Sequence, residues 1–154
     1  MQLKDVVTNA RAKARNWGWA ESSEKETPYL WIEFLFLDLE GDNGEEVTIT
    51  HNMYVTDNTI AYVLRDLKTM GWNGKNLFEL DKSEKHSFDL GVKEVNLTTE
   101  SQEYNGKPFI RVKFINDPDY KPGGTAIDKE ALKKLNDRLK GKIAAYREKG
   151  DIPL

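Results

Sequence analysis

Cysteine is absent from the 154 residues, and histidine occurs only twice, at His51 and His86. Without thiols there is no disulfide framework and no thiolate metal centre. Two isolated histidines leave the usual nitrogen-ligand clusters unbuilt. No apolar run nears the roughly 18 to 20 residues that cross a bilayer. The opening carries Lys4, Asp5 and then Arg11, Lys13 and Arg15 in place of a signal-type apolar stretch. No glycine-rich phosphate loop, Ser-His-Asp order or zinc spacing can be assembled. Asp38, Glu40, Asp42, Glu45 and Glu46 surround a turn and match no calcium-loop spacing. The expectation is a cytoplasmic, non-enzymatic protein with no cofactor, no metal and no membrane partner.

What remains is rich in aromatics, with Trp 4, Tyr 6 and Phe 6 in a chain of one-domain length. A net charge of −3 argues against indiscriminate coating of nucleic acid. Placement matters more than the sum, and it is uneven. Residues 126 to 154 hold eight Lys/Arg against five Asp/Glu, so the preceding 125 residues carry a net −6. Within that acidic body the stretch "RAKARNWGWA" is basic.

Hydrophobic alternation divides the chain into strands. Residues 10 to 22 form the first, followed by a polar loop "ESSEKETP". "YLWIEFLFLDL" (29 to 39) is the strongest, with Leu30, Ile32, Phe34 and Phe36 on one face and Tyr29, Trp31 and Glu33 starting the other. Asp42, Asn43 and Gly44 supply hairpin-turn chemistry before a returning strand over 46 to 55. Thr56, Asp57 or Asn58 caps a helix over 58 to 70, whose stripe is Ile60, Val63, Leu64 and Leu67. Trp72, after the helix-ending Gly71, reads as a core plug. Strands over 87 to 100 and 107 to 116 flank an Asn-Gly turn. In the last, Ile110, Val112 and Phe114 face one way and Phe109, Arg111 and Lys113 the other.

The order β-β-β-α-β-β predicts a mainly β protein, a five-stranded OB-fold barrel with an added C-terminal helix. The divisions are a barrel domain over 1–116, a linker over 117–125, an amphipathic helix over 126–149 and a tail over 150–154. The stripe Leu132, Leu135, Leu139, Ile143 and Tyr146 has two readings. It packs on the barrel, or it meets a second subunit in a homo-oligomer.

Strict alternation along 11 to 20 puts Arg11, Lys13, Arg15, Trp17 and Trp19 on one face, with Ala12, Ala14, Asn16, Gly18 and Ala20 opposite. Single-stranded nucleic acid needs that mixture: cations for phosphates and flat rings for bases, each stack contributing about 1 to 3 kcal/mol. Trp31, Phe109, Arg111 and Lys113 repeat it on other strands. The competing reading buries the tryptophans in the core and leaves the cations solvated.

The run "YVTDNTIAYVLRDLKTMGWNGKNLFELD" resembles the strand-helix-Gly-Trp segment of phage-encoded single-stranded DNA-binding proteins. "TPYLWIEFLFLD" and "EYNGKPFIRVKFIN" are similar to that family's second strand and last hairpin, so the resemblance covers roughly residues 10 to 116. It implies an OB-fold that binds displaced single strands in replication or recombination without a cofactor. The terminal "DIPL" is similar to the Asp-Ile-Pro-Phe tip of bacterial single-stranded DNA-binding proteins. Asp151, Ile152 and Pro153 match it, while Leu154 replaces the aromatic end. By that resemblance the tail docks on replication or recombination enzymes. The expected DNA-binding set is Arg11, Lys13, Arg15, Trp17, Trp19, Trp31, Phe109, Arg111 and Lys113. The alternative is a protein-interaction module on the same scaffold.

Overall fold

The structure, a computed structural model, describes residues 1–119 and 128–149. The chain divides into two units, Met1–Tyr120 and Lys121–Leu154. The first contains β1 (Ala10–Glu21), β2 (Pro28–Glu40), β3 (Glu46–Tyr54), α1 (Ile60–Thr69), β4 (Val95–Tyr104) and β5 (Lys107–Asn116). The second contains α2 (Lys129–Lys149), on which Leu132, Ile143 and Tyr146 are exposed. Most of the linker and the tail residues Asp151, Ile152, Pro153 and Leu154 lie outside the described residues.

The five strands form one antiparallel sheet in the order β3-β2-β1-β4-β5. Among the described residues no ladder joins β3 to β5, so the sheet is open and the expected barrel is not closed. A physical reason lies at Thr48 on the edge of β3. Its N–H donates to the Met1 carbonyl, and its own carbonyl accepts from the Leu3 N–H, both at 2.9 Å. The first residues thus occupy backbone groups that a closing strand would need.

Two turns hold the hairpins as the sequence predicts. Asn43 and Gly44 have φ of 61° and 76°, and Asn105 and Gly106 have 51° and 77°. The fourth strand starts later than expected, at Val95 instead of 87. Gly91 explains this, because a Cβ there would lie 2.7 Å from the Ala14 carbonyl oxygen. The chain approaches β1 closely at that point, and ladder pairing with it begins only at Val95. α1 starts two residues later than expected. Its N-cap is Thr59, whose hydroxyl donates to the Tyr54 carbonyl at 2.6 Å instead of capping the helix.

The inner sheet face is built from paired small and large side chains. Ala12 opposes Phe36 and Ala14 opposes Phe34 across β1 and β2. All four are buried, with Leu30, Ile32, Ile49, Met53, Leu97, Val112 and Ile115. Val63 and Leu67 of α1, then Met70, Trp72, Leu80 and Leu90, join the same core. Trp72 is therefore the plug the sequence suggests.

The first strand departs from simple alternation. Ala14 pairs with Phe34 and Asn16 with Glu33, leaving Arg15 as an extra residue in a β-bulge. From there the parity inverts. Trp17 opposes Ile32 and is 7% exposed, whereas Gly18 opposes Trp31 on the outer face. The shared face expected for Arg11, Lys13, Arg15, Trp17 and Trp19 is thus broken after Arg15, and Trp17 is a core residue. Lys82 seals it from above, with Nζ 4.0 Å from the ring centre and 2.6 Å from Asn16 Oδ1.

Trp17→Ala should destabilise the domain by roughly 3 to 5 kcal/mol, the usual loss for a large aromatic truncated in a core. Chemical denaturation measures it; a loss under 1 kcal/mol would mean the ring is not part of the packing.

Candidate nucleic-acid interface

The outer face of β1, β2 and β3 carries Arg11, Lys13 and Arg15 with Trp31, Tyr29 and Tyr54. Trp31 sits at its centre, half-buried, because Gly18 beneath it has no side chain. A Cβ on Gly18 would fall 2.9 to 3.0 Å from the indole atoms, so glycine is the residue that lets the ring approach the strand. Two residues away on β2, Tyr29 pairs with Tyr54 of β3, their ring centres 5.1 Å apart and tilted by 44°. Neither tyrosine belongs to the set expected from the sequence. Their juxtaposition was not readable from the turn, because the ladder of β2 and β3 shifts register between Leu35 and Glu40.

The cations on this face are mostly paired with carboxylates. Arg11 lies 3.6 Å from Asp38 and 3.2 Å from Glu94. Arg15 donates from Nε to Glu33 at 2.9 Å and from a terminal nitrogen to Glu46. The hydrogen bond to Glu33, and the charges of Glu33 and Glu46, hold its pKa above the ordinary arginine value. Lys13, opposite Leu35, makes no salt bridge among the described residues. These are solvent-exposed pairs, screened by water, and they contribute little to stability. They cost little to exchange for another anion.

The other expected residues sit elsewhere. Trp19 follows Trp17 onto the inner side, opposite Leu30, and is half-buried. On β5, Lys113 is the extra residue of a second bulge, since Thr98 pairs with Phe114 and Thr99 with Val112. Val112 and Ile115 are buried there, and Phe114 joins Phe109 and Arg111 among the exposed residues. The expected partition that put Phe114 with Ile110 and Val112 is corrected by that bulge. Arg111 and Lys113 share Glu100, at 3.5 and 4.0 Å. β4 separates β5 from β1, so this basic pair is not adjacent to Arg11, Lys13 and Arg15.

No group of three or more histidine or acidic residues among the described residues is placed to hold a metal ion. No helix there is long and apolar enough to cross a membrane. No protein-family model and no curated protein matches the chain.

His51, opposite Ile32 on the inner side of β3, has its pKa lowered from 6.5 to about 4. Burial is the main cause, and the positive charge of Arg111 adds to it. The unfolded chain therefore binds more protons than the folded one between pH 6.5 and 4. Stability from this group is complete above 6.5 and is lost as pH falls through that window. The unfolding free energy of wild type minus that of His51→Leu should be flat above pH 7 and decline from 6.5 to 4. Carboxylates common to both proteins cancel, so a constant difference would mean the imidazole is not held neutral.

Proposed function

We propose that the protein binds single-stranded DNA across the outer face of β1, β2 and β3, with little sequence preference. The observation that carries this reading is Trp31, a half-exposed indole seated on Gly18 beside the Tyr29–Tyr54 pair. Rings presented in series on a sheet suit unpaired bases, because every base offers a face for stacking. Lys13 meets a phosphate directly, and Arg11 and Arg15 exchange their carboxylate partners for phosphates. Trp17 has no part in the stacking.

The strand order is that of an OB barrel opened between β3 and β5, which supports an OB-type scaffold for this face. The resemblance to phage single-stranded DNA-binding proteins adds a setting, displaced strands in replication or recombination. Phe109, Arg111 and Lys113 extend the surface along β5. One feature favours the alternative, a protein-interaction surface: Tyr104, Phe109 and Phe114 are exposed while the nearby cations are neutralised by Glu100.

Titration with oligo(dT) at several salt concentrations separates the two. Trp31→Ala should weaken binding by about 1 to 3 kcal/mol without lowering the melting temperature. Single strands ordinarily lose about 0.7 in logarithmic slope per phosphate neutralised. Five cations, four of them in competition with their own carboxylates, should give a slope well short of −3.5. Glu33→Gln, which frees Arg15 from one of its two carboxylate partners, should tighten binding. Absence of binding, or wild-type affinity in Trp31→Ala, would contradict the proposal.

A further inference from the structure

An open groove of about 730 Å³ lies where β2 begins and β3 ends. Its walls are apolar: Trp19, Pro28 and Val55 from the sheet side, Leu77 and Phe78 from a single 3₁₀ turn over Leu77–Leu80. That volume is in the range of small-molecule sites. Phe78, 68% exposed, and the adjoining exposed Leu77 form one apolar patch on the groove wall. It is also held in place. Asn76 Oδ1 accepts from the Phe78 N–H at 2.9 Å, and Glu79 Oε2 accepts from the Asn76 N–H at 3.2 Å. Leu80, fully buried, anchors the other side of the turn.

We propose that this groove takes one further unpaired nucleobase of the bound strand, stacked on Phe78, with its phosphate at Lys75. The proposal rests on the reading of the outer face given above and extends it past the end of the sheet. Continuity is the first argument. Pro28 directly precedes Tyr29, Val55 directly follows Tyr54, and the Val55 N–H donates to the Pro28 carbonyl at 2.9 Å. Alternation puts Pro28 and Val55 on the side of Trp19, so a strand whose bases stack on Trp31 and then on the tyrosine pair reaches the groove by turning round the end of β2 and β3.

Charge is the second argument. Lys75 and Asp81 line the groove with opposite signs. Asp81 Oδ1 accepts from the N–H and the hydroxyl of Ser83, which keeps the carboxyl below the usual carboxylate range and therefore ionised. A phosphate is repelled from that end and attracted to Lys75, whereas a neutral base meets only rings and aliphatic carbon. A duplex is excluded, because its bases are already paired and stacked.

Photocrosslinking of the full chain to oligo(dT) carrying single 5-iododeoxyuridines tests this, with adducts mapped by mass spectrometry. Adducts are expected in two regions, Tyr29–Trp31 and Phe78 with Trp19. Phe78→Ala should remove the second and lower affinity roughly 5- to 100-fold for oligonucleotides long enough to reach it. Phe78→Tyr should retain both, and the melting temperature should not change in either variant. Adducts confined to Tyr29–Trp31, with Phe78→Ala binding as wild type, would overturn the groove and leave the outer-face reading standing. Adducts at Phe78 alone would overturn the track between the two regions and with it this proposal. No adduct anywhere, with no oligo(dT) binding, would bring down the outer-face reading itself.

Discussion

Between Ala14 and Asn16 the first strand carries one residue more than its partner, and the sorting of side chains on both faces of the sheet follows from it. Before the bulge, alanines face the phenylalanines of β2 and cations face outward. After it, Trp17 fills the core against Ile32, and Gly18 turns outward to receive Trp31. A strand without the extra residue would expose Trp17 and point Gly18 into the core, leaving Trp31 no flat seat. The bulge is held from the other side of β1. Gly91 approaches the Ala14 carbonyl closely, and Lys82 bridges the Trp17 ring and Asn16. The long segment between α1 and β4 thereby sets the geometry of the candidate interface.

The same surface is electrostatically quiet. Arg11, Arg15, Arg111 and Lys113 each have a carboxylate within 4.0 Å, and those carboxylates occupy the positions that phosphates would take. Exchange of one anion for another keeps the desolvation cost small but reduces the net attraction. In the proposed interface, affinity would rest more on stacking by Trp31 and the tyrosines than on charge. An acidic body with paired arginines is consistent with a protein that disfavours duplex DNA, whose affinity for proteins is dominated by phosphate contacts.

Much of the strand pattern was legible in the sequence. Alternation in β2 was strong enough to identify its buried face, and the Asp-Asn-Gly and Asn-Gly turns fixed two hairpins. The bulges were not, because a period of two has no place for an extra residue. Two were enough to move Trp17 inward and Phe114 outward. Gly18 was the available signal, since glycine inside a strand marks a bulge or a close approach. The exposed Phe78 was hidden for another reason. Its neighbours Leu77 and Leu80 are also apolar, and only the fold shows that Leu80 is buried while Leu77 and Phe78 face water. Carboxylate pairing of the cations was invisible as well, because Glu33, Glu46, Asp38, Glu94 and Glu100 lie on other elements.

The bulge turns both tryptophans of β1, Trp17 and Trp19, to the inner side and leaves Trp31 of β2 as the one indole on the open face, above Gly18. The four indole N–H resonances, followed by NMR as oligo(dT) is added, test this directly. Trp31 should shift most and Trp19 less, while Trp17 and Trp72 stay where they are in the free protein. A large shift at Trp17 with Trp31 unmoved would contradict the bulge, the orientation of the sheet and the interface together.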